Sequence, residues 1–271
     1  MSLEQQTVWI TGASSGIGAA LAREWASRGS RIILSGRSEE RLAKVAGDLD
    51  SETLILPFDV RDEAALHDAA TKAIGWHGGV DIFVANAGIS QRSPALETSM
   101  QVYRNIIDVD LTAQIAASQA LIGHMAERGS GRLVFISSIA GKVGVPMRTA
   151  YCAAKFGLIG YADALRAELS QSGVEVHVVC PGSVATDVSR NALTADGSAR
   201  GRSDKAIDNG IPPADAATSI VDAITLNQRE IIVARGMEEA MGEMRRTPDQ
   251  LLDQVAAMVA SSYMEKMQAE D

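Results

Sequence analysis

Apolar residues along the chain form seven short, nearly continuous runs, and segments with helical spacing of apolar residues lie between them. The runs are TVWI (7–10), RIILS (31–35), TLIL (53–56), DIFVA (81–85), RLVFIS (132–137), VEVHVVC (174–180) and EIIVA (230–234). Among the helical segments are RSEERLAKVAGDL, EAALHDAATKAI, a long stretch near 99–127 and TAYCAAKFGLIGYADALRAEL. Buried strands that alternate with helices are typical of a parallel sheet covered on both faces. The pattern predicts an α/β fold, a doubly wound Rossmann-type domain with a central parallel sheet of about seven strands.

Two segments lie outside this alternation. From Ser189 to Pro213 the chain is rich in Gly, Ser, Asn, Asp and Arg, which predicts a mobile lid over the substrate. Residues 236–271 follow the 1–235 domain and contain methionines at helical spacing, which predict a helical extension. Such methionines pack on the domain, form a subunit interface or line an apolar substrate entrance. They are Met237, Met241, Met244, Met258, Met264 and Met267.

Composition narrows the classes of function. With 271 residues, 46% apolar and 22% charged, the chain can bury one large α/β core. The formal net charge of −9 and the lack of a basic patch argue against a nucleic-acid partner. Cys152 and Cys180 lack metal-site spacing, so we expect buried thiols in a reducing compartment and no metal. Without a recognisable signal peptide or membrane-spanning run, the protein is expected to be cytoplasmic.

A glycine-rich turn, TGASSGIG (Thr11–Gly18), follows the first strand and opens the first helix. Glycines at 12, 16 and 18 let the backbone come close to a diphosphate, whose charge a helix N-terminus favours. The spacing is G-x-x-x-G-x-G and not the general dinucleotide fingerprint, so a purely structural turn is the alternative. The position after the first strand favours nucleotide binding.

The second strand ends in Gly36 and Arg37, where an acidic residue would otherwise hold the ribose hydroxyls of NAD. A guanidinium without a neighbouring carboxylate suits a 2′-phosphate, so we expect NADP(H) as cofactor. In the alternative, Arg37 is a solvated residue ahead of the helix that carries Glu39 and Glu40.

Two further polar sites follow the third and fourth strands. They are Asp59 with Val60, and the sequence ANAG (Ala85–Gly88). Both lie at carboxyl ends of strands, where open α/β sheets bind ligands. Asn86 could also be only a turn residue.

The stretch YCAAK places Tyr151 one helical turn before Lys155, so both side chains share a face. Below Lys155 the same face is apolar: Leu158, Ala162, Leu165 and Leu169. Because burying an ammonium is costly, something near Lys155 must stabilise its charge.

These features together resemble the classical branch of the short-chain dehydrogenase/reductase family, from about residue 5 to about residue 235. The matching motifs are TGASSGIG (11–18), ANAG (85–88), the serine of VFISSIAG, YCAAK (151–155) as Y-x-x-x-K, and CPGSVAT (180–186). Ser138 lies thirteen residues before Tyr151, the interval usual in the family.

The resemblance implies the roles of the site residues. Tyr151 would donate or accept the proton of a carbonyl–alcohol conversion. Lys155 would favour the phenolate and bind the nicotinamide ribose, and Ser138 would hydrogen-bond the substrate oxygen. The structural alternatives are an amphipathic anchor, a snorkelling lysine and a turn cap. Besides Tyr151 and Lys155, the implied cofactor residues are Gly12, Ser14, Ser15, Gly16, Ile17, Gly18, Arg37, Asp59, Val60, Asn86, Ala87, Gly88, Pro181, Gly182, Val184 and Thr186, the last of which could instead cap a helical turn.

One position departs from the family. Where its members carry an asparagine that holds a water in a proton path, this chain has Asp110, in VDLTA. A carboxylate there could hold the water, pair with Lys155 and offset its effect on Tyr151, or pair with another cation. We count Asp110 as a candidate relay residue.

The sequence thus predicts an NADP(H)-dependent oxidoreductase that acts on a carbonyl or secondary alcohol of an apolar small molecule, assembled as a homodimer or homotetramer. An epimerase or dehydratase of the extended branch is disfavoured by the glycine spacing. A nucleotide-sensing regulator with little or no catalysis remains the alternative, which Asp110 leaves open.

Overall fold

The computed structural model describes residues 5–261, and within them seven strands form one parallel sheet. The order β3-β2-β1-β4-β5-β6-β7 confirms the predicted doubly wound fold, and each strand matches its apolar run to within one residue at either end. The strands are β1 (Thr7–Thr11), β2 (Arg31–Gly36), β3 (Thr53–Pro57), β4 (Ile82–Ala85), β5 (Gly131–Ile136), β6 (Val174–Pro181) and β7 (Glu230–Val233).

Helices cover both faces of the sheet. The long ones are amphipathic or buried segments between strands, and polar side chains cap some of them: Ser38 Oγ accepts from Arg41 N, and Asp62 Oδ1 accepts from Ala65 N. The α-helices in residues 5–261 are α1 (Gly16–Ser27), α2 (Glu39–Gly47), α3 (Glu63–Gly75), α4 (Met100–Ile107), α5 (Ala113–Arg128), α6 (Thr149–Glu168), α7 (Lys205–Asp208), α8 (Pro213–Thr225), α9 (Met237–Met244) and α10 (Asp249–Ala260).

The alternation of side chains along β1 builds two cores. Val8 and Ile10 pack with Trp25 of α1 on one face, whereas Trp9 packs with Phe83 on the other. The Trp9 and Phe83 rings meet edge to face at 5.2 Å. Burying side chains of this size contributes about 1.5–3 kcal/mol each. Packing on both faces therefore stabilises the sheet, at whose carboxyl edge the predicted site residues lie.

The predicted long helix near 99–127 is interrupted. A single π-helical turn, Asp108–Thr112, joins α4 to α5. Such a turn inserts one residue into the helical repeat and redirects the side chains around it. Asp110 lies at its centre and is fully buried.

The segment from Ser189 to Pro213 contains α7 and backbone bonds to the chain after β4. Leu193 N donates to Ser90 O at 2.7 Å, and Arg92 N donates to Leu193 O at 2.8 Å. These bonds place the segment beside the carboxyl edge of the sheet. Its mobility and its role as a lid stay predictions.

The C-terminal segment contains α9 and α10, while Met264 and Met267 lie outside the described residues. Met237, Met244 and Met258 are exposed, and their part in a subunit interface stays a prediction. Cys152 and Cys180 are free and buried, as expected. None of the helices in residues 5–261 has the length and apolar character needed to cross a bilayer.

Candidate active site

The end of β1 and the end of β4 meet where the strand order reverses. Thr11 Oγ1 accepts hydrogen bonds from Asn86 N at 3.0 Å and Ala87 N at 3.1 Å. Asn86 Nδ2 donates to Thr11 O at 2.9 Å, and to Gly12 O at 3.3 Å. Asn86 therefore holds the glycine turn in place. Ligands bind in the crevice at such a reversal point in open α/β sheets.

The glycine turn has no room for side chains where it approaches its neighbours. Gly12 and Gly16 have φ of +66° and +55°, in the left-handed region that favours glycine. A Cβ on Gly18 would lie 2.4 Å from Gly12 O and 2.5 Å from Asn86 Nδ2. Close backbone packing thus requires glycine at these positions.

The N-terminus of α1 is open to an anion. Ser15 is the N-cap residue, but its side chain makes no capping hydrogen bond. The first amides of a helix, here those of Gly16, Ile17 and Gly18, have no partner within the helix and carry partial positive charge. The turn and these amides fit the diphosphate of a dinucleotide cofactor.

The predicted adenosine side lies at the ends of β2 and β3. Gly36 is buried, with Ser14 Oγ 3.6 Å from the point where a Cβ would lie, and Arg37 is exposed. Asp59 pairs with Arg61 at 2.7 Å. The Arg61 hydrogen bond lowers the pKa of Asp59 to about 2, and the charge of Arg37 adds to the shift. The charges of Arg37, Asp59 and Arg61 sum to one positive charge at this edge, and Val60, beside Asp59, is half-buried.

A cavity of about 900 Å³ borders the glycine turn. Its lining includes Ser14, Ser15, Gly16 and Thr186. From there it extends between α1 and α8, and its lining does not include Ser138, Tyr151 or Lys155. The cavity therefore borders the glycine turn and lies apart from Ser138, Tyr151 and Lys155.

Tyr151 and Lys155 lie in the first two turns of α6 and face the same side. The ammonium of Lys155 is 5.6 Å from the centre of the Tyr151 ring. Lys155 is 3% exposed, and its Nζ donates to Ile136 O at 3.0 Å. A second partner, Asp110, stabilises the buried charge: Asp110 Oδ2 is 3.1 Å from Nζ. Gly88 lies against this pair, and a Cβ there would be 3.1 Å from Asp110 Oδ2.

Asp110 realises one of the three roles open to it, the pairing with Lys155. Its Oδ1 accepts from Ile89 N at 2.8 Å, whereas Oδ2 makes the ion pair without hydrogen-bond geometry. Burial raises the pKa of Asp110, and Lys155 offsets part of this shift. Burial acts to lower the pKa of Lys155, but the charges of Asp110 and Tyr151 outweigh it and raise the pKa. Lys155 therefore stays an ammonium.

Ser138 begins a short 3-10 turn, Ile139–Gly141, after β5. Its Oγ accepts from Ala140 N at 3.1 Å and donates to Pro181 O at 3.3 Å. Ser138 thus fulfils the capping role of its structural alternative. Its hydroxyl must leave Pro181 O before it can donate to a substrate oxygen.

The turn after Ser138 is fixed to the helix turn of Lys155. Ser137 Oγ donates to Lys155 O at 3.0 Å. A Cβ on Gly141 would lie 2.5 Å from Ser137 Oγ and 2.7 Å from Lys155 O. Backbone contact at this point sets the spacing between Ser138 and the Tyr151 helix.

Residues 181–186 pass over the glycine turn from the end of β6. Thr186 Cγ2 would be 3.2 Å from a Cβ on Gly16. Val184 is buried and pairs with Ile211 as a parallel bridge. Thr186 Oγ1 is 3.5 Å from Val188 N, too long for a firm cap. The loop with Pro181, Gly182, Val184 and Thr186 therefore lies beside the predicted cofactor turn.

Gln114 and Asp204 support the site and were not identified from the sequence. Gln114 is buried, and its Nε2 donates to Ala87 O at 2.6 Å and Val109 O at 2.9 Å. Its position four residues after Asp110 in an apolar helix was the available signal. Asp204 binds Arg92 at 2.8 Å and also Arg200. No local pattern marks that cluster, because its members come from distant segments.

Comparison with known proteins identifies the family of the chain. The family model of short chain dehydrogenases matches residues 6–197. The chain is 36% identical over 242 residues to dehydrogenase/reductase SDR family member 7B of Danio rerio, covering 86% of this chain and 78% of that protein. It is 35% identical over 239 residues to dehydrogenase/reductase SDR family protein 7-like of Drosophila melanogaster, covering 86% and 73%.

Two solved structures show the same architecture. A short-chain dehydrogenase/reductase from Burkholderia phymatum in complex with NAD has a TM-score of 0.81 at 22% identity, covering 92% of this chain and 98% of that chain. A metagenomic short-chain oxidoreductase in complex with NADP has a TM-score of 0.72 at 30% identity, covering 88% and 100%. The first likeness shows the fold alone. With the matched family model and the curated relatives, we conclude that the chain belongs to the short-chain dehydrogenase/reductase family of oxidoreductases, as its motifs predict.

Proposed function

We propose that the protein is an NADP(H)-dependent enzyme that interconverts a carbonyl and a secondary alcohol on an apolar small molecule. The observation that carries the proposal is the position of the Tyr151 ring 5.6 Å from the buried ammonium of Lys155. A cation this close stabilises a phenolate, which is the form that Tyr151 takes after it donates a proton.

Each residue has a distinct task in this reaction. A bound nicotinamide would supply or accept the hydride. The Ser138 hydroxyl would turn from Pro181 O to the substrate oxygen and hold it beside the phenol, and Tyr151 would give that oxygen its proton. Lys155 would stabilise the phenolate that remains, while its own position is fixed by Ile136 O and Asp110.

The preference for NADP(H) rests on Gly36 and Arg37. The end of β2 has no carboxylate to bind ribose hydroxyls, and the side chain after it is a guanidinium. Ser14 Oγ, close to Gly36, offers a further donor to a 2′-phosphate. Structures of similar proteins contain either NAD or NADP. The proposed preference for NADP(H) therefore rests on Gly36, Arg37 and Ser14 and not on the fold.

The apolar substrate class is supported by the surroundings of Tyr151. Tyr151 packs against a buried cluster that contains Val102, Ile106 and Ala154, and Ile89 and Leu193 pack against the same cluster. Leu193 belongs to the proposed lid, so closure would place an apolar side chain near the substrate. We also keep a cytoplasmic location and a homodimer or homotetramer as parts of the proposal.

Asp110 favours one alternative, a nucleotide-sensing regulator that binds NADPH with little or no turnover. Its carboxylate offsets part of the charge with which Lys155 would act on Tyr151. If the protein is an enzyme, we expect steady NADPH oxidation with a carbonyl substrate. If it is a regulator, we expect it to bind NADPH without turnover.

The experiment combines thermal shift with NADPH and NADH and turnover on a panel of apolar ketones and secondary alcohols. Tyr151→Phe should keep NADPH affinity and lose turnover by orders of magnitude. Tyr161→Phe is the control, because Tyr161 lies on the same helix but bonds to Ser118 at 2.8 Å. Binding of NADPH without turnover on any panel member would favour the regulator, and turnover that survives Tyr151→Phe would contradict the role of Tyr151.

A further inference from the structure

Helix α9 contacts the site from outside the cleft. Glu238, in its first turn, accepts hydrogen bonds from Ser183 N at 2.7 Å and Ser183 Oγ at 2.9 Å. One turn later, Gly242 packs against Ile139. The family model ends at residue 197, so α9 lies beyond the part of the chain that the family model matches.

Gly182 allows the Glu238 carboxylate to reach the loop. A Cβ on Gly182 would lie 2.4 Å from Glu238 Oε2 and 3.0 Å from Ala234 Cβ. From the other side, Ser183 O accepts from Ile211 N at 2.8 Å. Ser183 is therefore held on both sides, directly before Val184.

The same helix supports the turn that carries Ser138. A Cβ on Gly242 would lie 2.8 Å from Ile139 Cδ1 and 3.0 Å from Ile232 Cγ2. Because Ile139 follows Ser138 in the chain, the packing of α9 limits how far that turn can move. The absence of a side chain on Gly242 sets the distance between α9 and the site.

The chain after α9 is fixed to the same turn by a buried ion pair. Lys142, next to the 3-10 turn, pairs with Glu230 at 2.6 Å, and both side chains are buried. Thr247 N donates to the Glu230 carboxylate at 3.3 Å. Breaking a buried pair leaves an uncompensated charge, which is strongly destabilising. The position of α9 is thus determined at its start, its middle and after its end.

We propose that α9 is a positioning element of the hydride-transfer site and that Glu238 is the positioning residue for loop 181–186. This inference rests on the proposed function, in which the loop holds the nicotinamide end of NADP(H). Hydrogen bonds that the backbone N–H and the hydroxyl of Ser183 donate to a carboxylate fix the loop more firmly than bonds to a neutral acceptor would. Without them the nicotinamide end is held less well, while the distant adenosine end is unaffected.

The test compares two ligands on Glu238→Gln, whose amide nitrogen cannot accept a hydrogen bond. NADPH reaches loop 181–186, whereas adenosine 2′,5′-bisphosphate carries the 2′-phosphate end without nicotinamide. We expect the Kd of NADPH to rise about tenfold and that of the bisphosphate to change less than about twofold. Glu239→Gln is the control, because Glu239 is the exposed neighbour with the same charge.

An unchanged NADPH affinity, or an equal loss for both ligands, would overturn the role of Glu238, since the latter marks a general loss of structure. Ser183→Ala is a second, milder variant that removes only the hydroxyl donor. It should weaken NADPH binding about threefold, and it should add little when combined with Glu238→Gln. Full additivity would also overturn the inference. If wild-type protein bound the bisphosphate but not NADPH, the proposed function would fail before any variant was made.

Discussion

Asp110 Oδ2 lies 3.1 Å from Lys155 Nζ, and both side chains are buried. The ammonium that we propose to act on Tyr151 is therefore paired with a carboxylate. Because the buried surroundings screen poorly, the carboxylate offsets part of the field that reaches Tyr151. The effect of the Asp110 carboxylate on this pair should therefore appear in the pH dependence of turnover.

Asp110→Asn should shift the rate profile of alcohol oxidation to lower pH. Without the carboxylate, the full ammonium charge stabilises the phenolate. At the alkaline end the rate should also fall earlier, because burial lowers the pKa of Lys155 once Asp110 no longer raises it. Profiles of kcat between pH 5 and 10 test both limbs. Asp163→Asn is a suitable control, since that carboxylate pairs with Arg166 further along α6. An unchanged profile would leave Asp110 with a structural role.

Lys155→Met should lower both NADPH affinity and turnover, because Lys155 is proposed to act on the ribose and on the phenol. The variant leaves Asp110 buried without its cation, and burial raises the pKa of that carboxyl. Because the pKa of Asp110 is raised in the folded protein, folding favours its protonated form. This contribution to the free energy of unfolding is lost as the pH rises through the raised pKa. The variant should therefore lose stability with rising pH, and Lys155→Met/Asp110→Asn should recover stability without recovering turnover.

Thermal unfolding at pH 6 and pH 9 and NADPH titration separate these effects. A loss of turnover with unchanged NADPH affinity would leave Lys155 only its electrostatic role. Recovery of turnover in the double variant would contradict any direct role.

The sequence predicts the strands because nearly continuous apolar runs allow little other than burial on both faces of a sheet. It also predicts Tyr151, Lys155 and Ser138 as site residues, because the spacing between them is local, and their catalytic roles stay predictions. The pairing of Asp110 with Lys155 is one of the alternatives that the sequence offers, whereas the π-helical turn in which Asp110 lies was not predicted from it. Glu238 and Ser183 are 55 residues apart. Such pairs follow from the way that the elements assemble, which local patterns do not encode.

The proposed lid should open when Asp204 is changed. Asp204 binds Arg92 at 2.8 Å and Ser189 Oγ at 2.9 Å, and it also binds Arg200. Asp204→Asn removes the charge that these arginines share, so trypsin should cut within residues 189–213 several-fold faster. Asp208→Asn is the control, because Asp208 is exposed at the end of α7, the helix that Asp204 precedes. NADPH with a substrate should slow cleavage in wild-type protein.

The ratio of cleavage rates between Asp204→Asn and wild-type protein should not vary between about pH 5 and pH 8. Burial acts against ionisation of Asp204, but hydrogen bonds from Arg92 and Arg200 outweigh it and hold its pKa below the usual range. A lowered carboxyl pKa means that the bonds are intact above about 3.9, the ordinary value, and are lost only in stronger acid. Equal cleavage of Asp204→Asn and wild-type protein would show that the cluster does not hold the segment.

Cofactor choice depends on Gly36 and Arg37, and the structure has space for the exchange that tests it. A Cβ on Gly36 would lie 3.6 Å from Leu42 Cδ2 and from Ser14 Oγ, which is ordinary contact, so the backbone accepts the Cβ that Gly36→Asp adds. The new carboxylate would bind ribose hydroxyls and repel a 2′-phosphate. Arg37→Ala alone should weaken NADPH about tenfold, as expected for one exposed, charge-assisted contact.

Gly36→Asp with Arg37→Ala should reverse the preference toward NADH, mainly through lost NADPH affinity. Arg229→Ala is the control, because Arg229 lies just before β7, at the amino edge of the sheet, where its guanidinium is paired with Asp253, and it should affect NADPH little. The preference of wild-type protein should also shrink from 50 mM to 300 mM salt, since an exposed contact with phosphate is screened. Titrations of NADPH and NADH at both salt concentrations measure these effects. If wild-type protein bound NADH as tightly as NADPH at low salt, Arg37 would be a solvated residue ahead of α2.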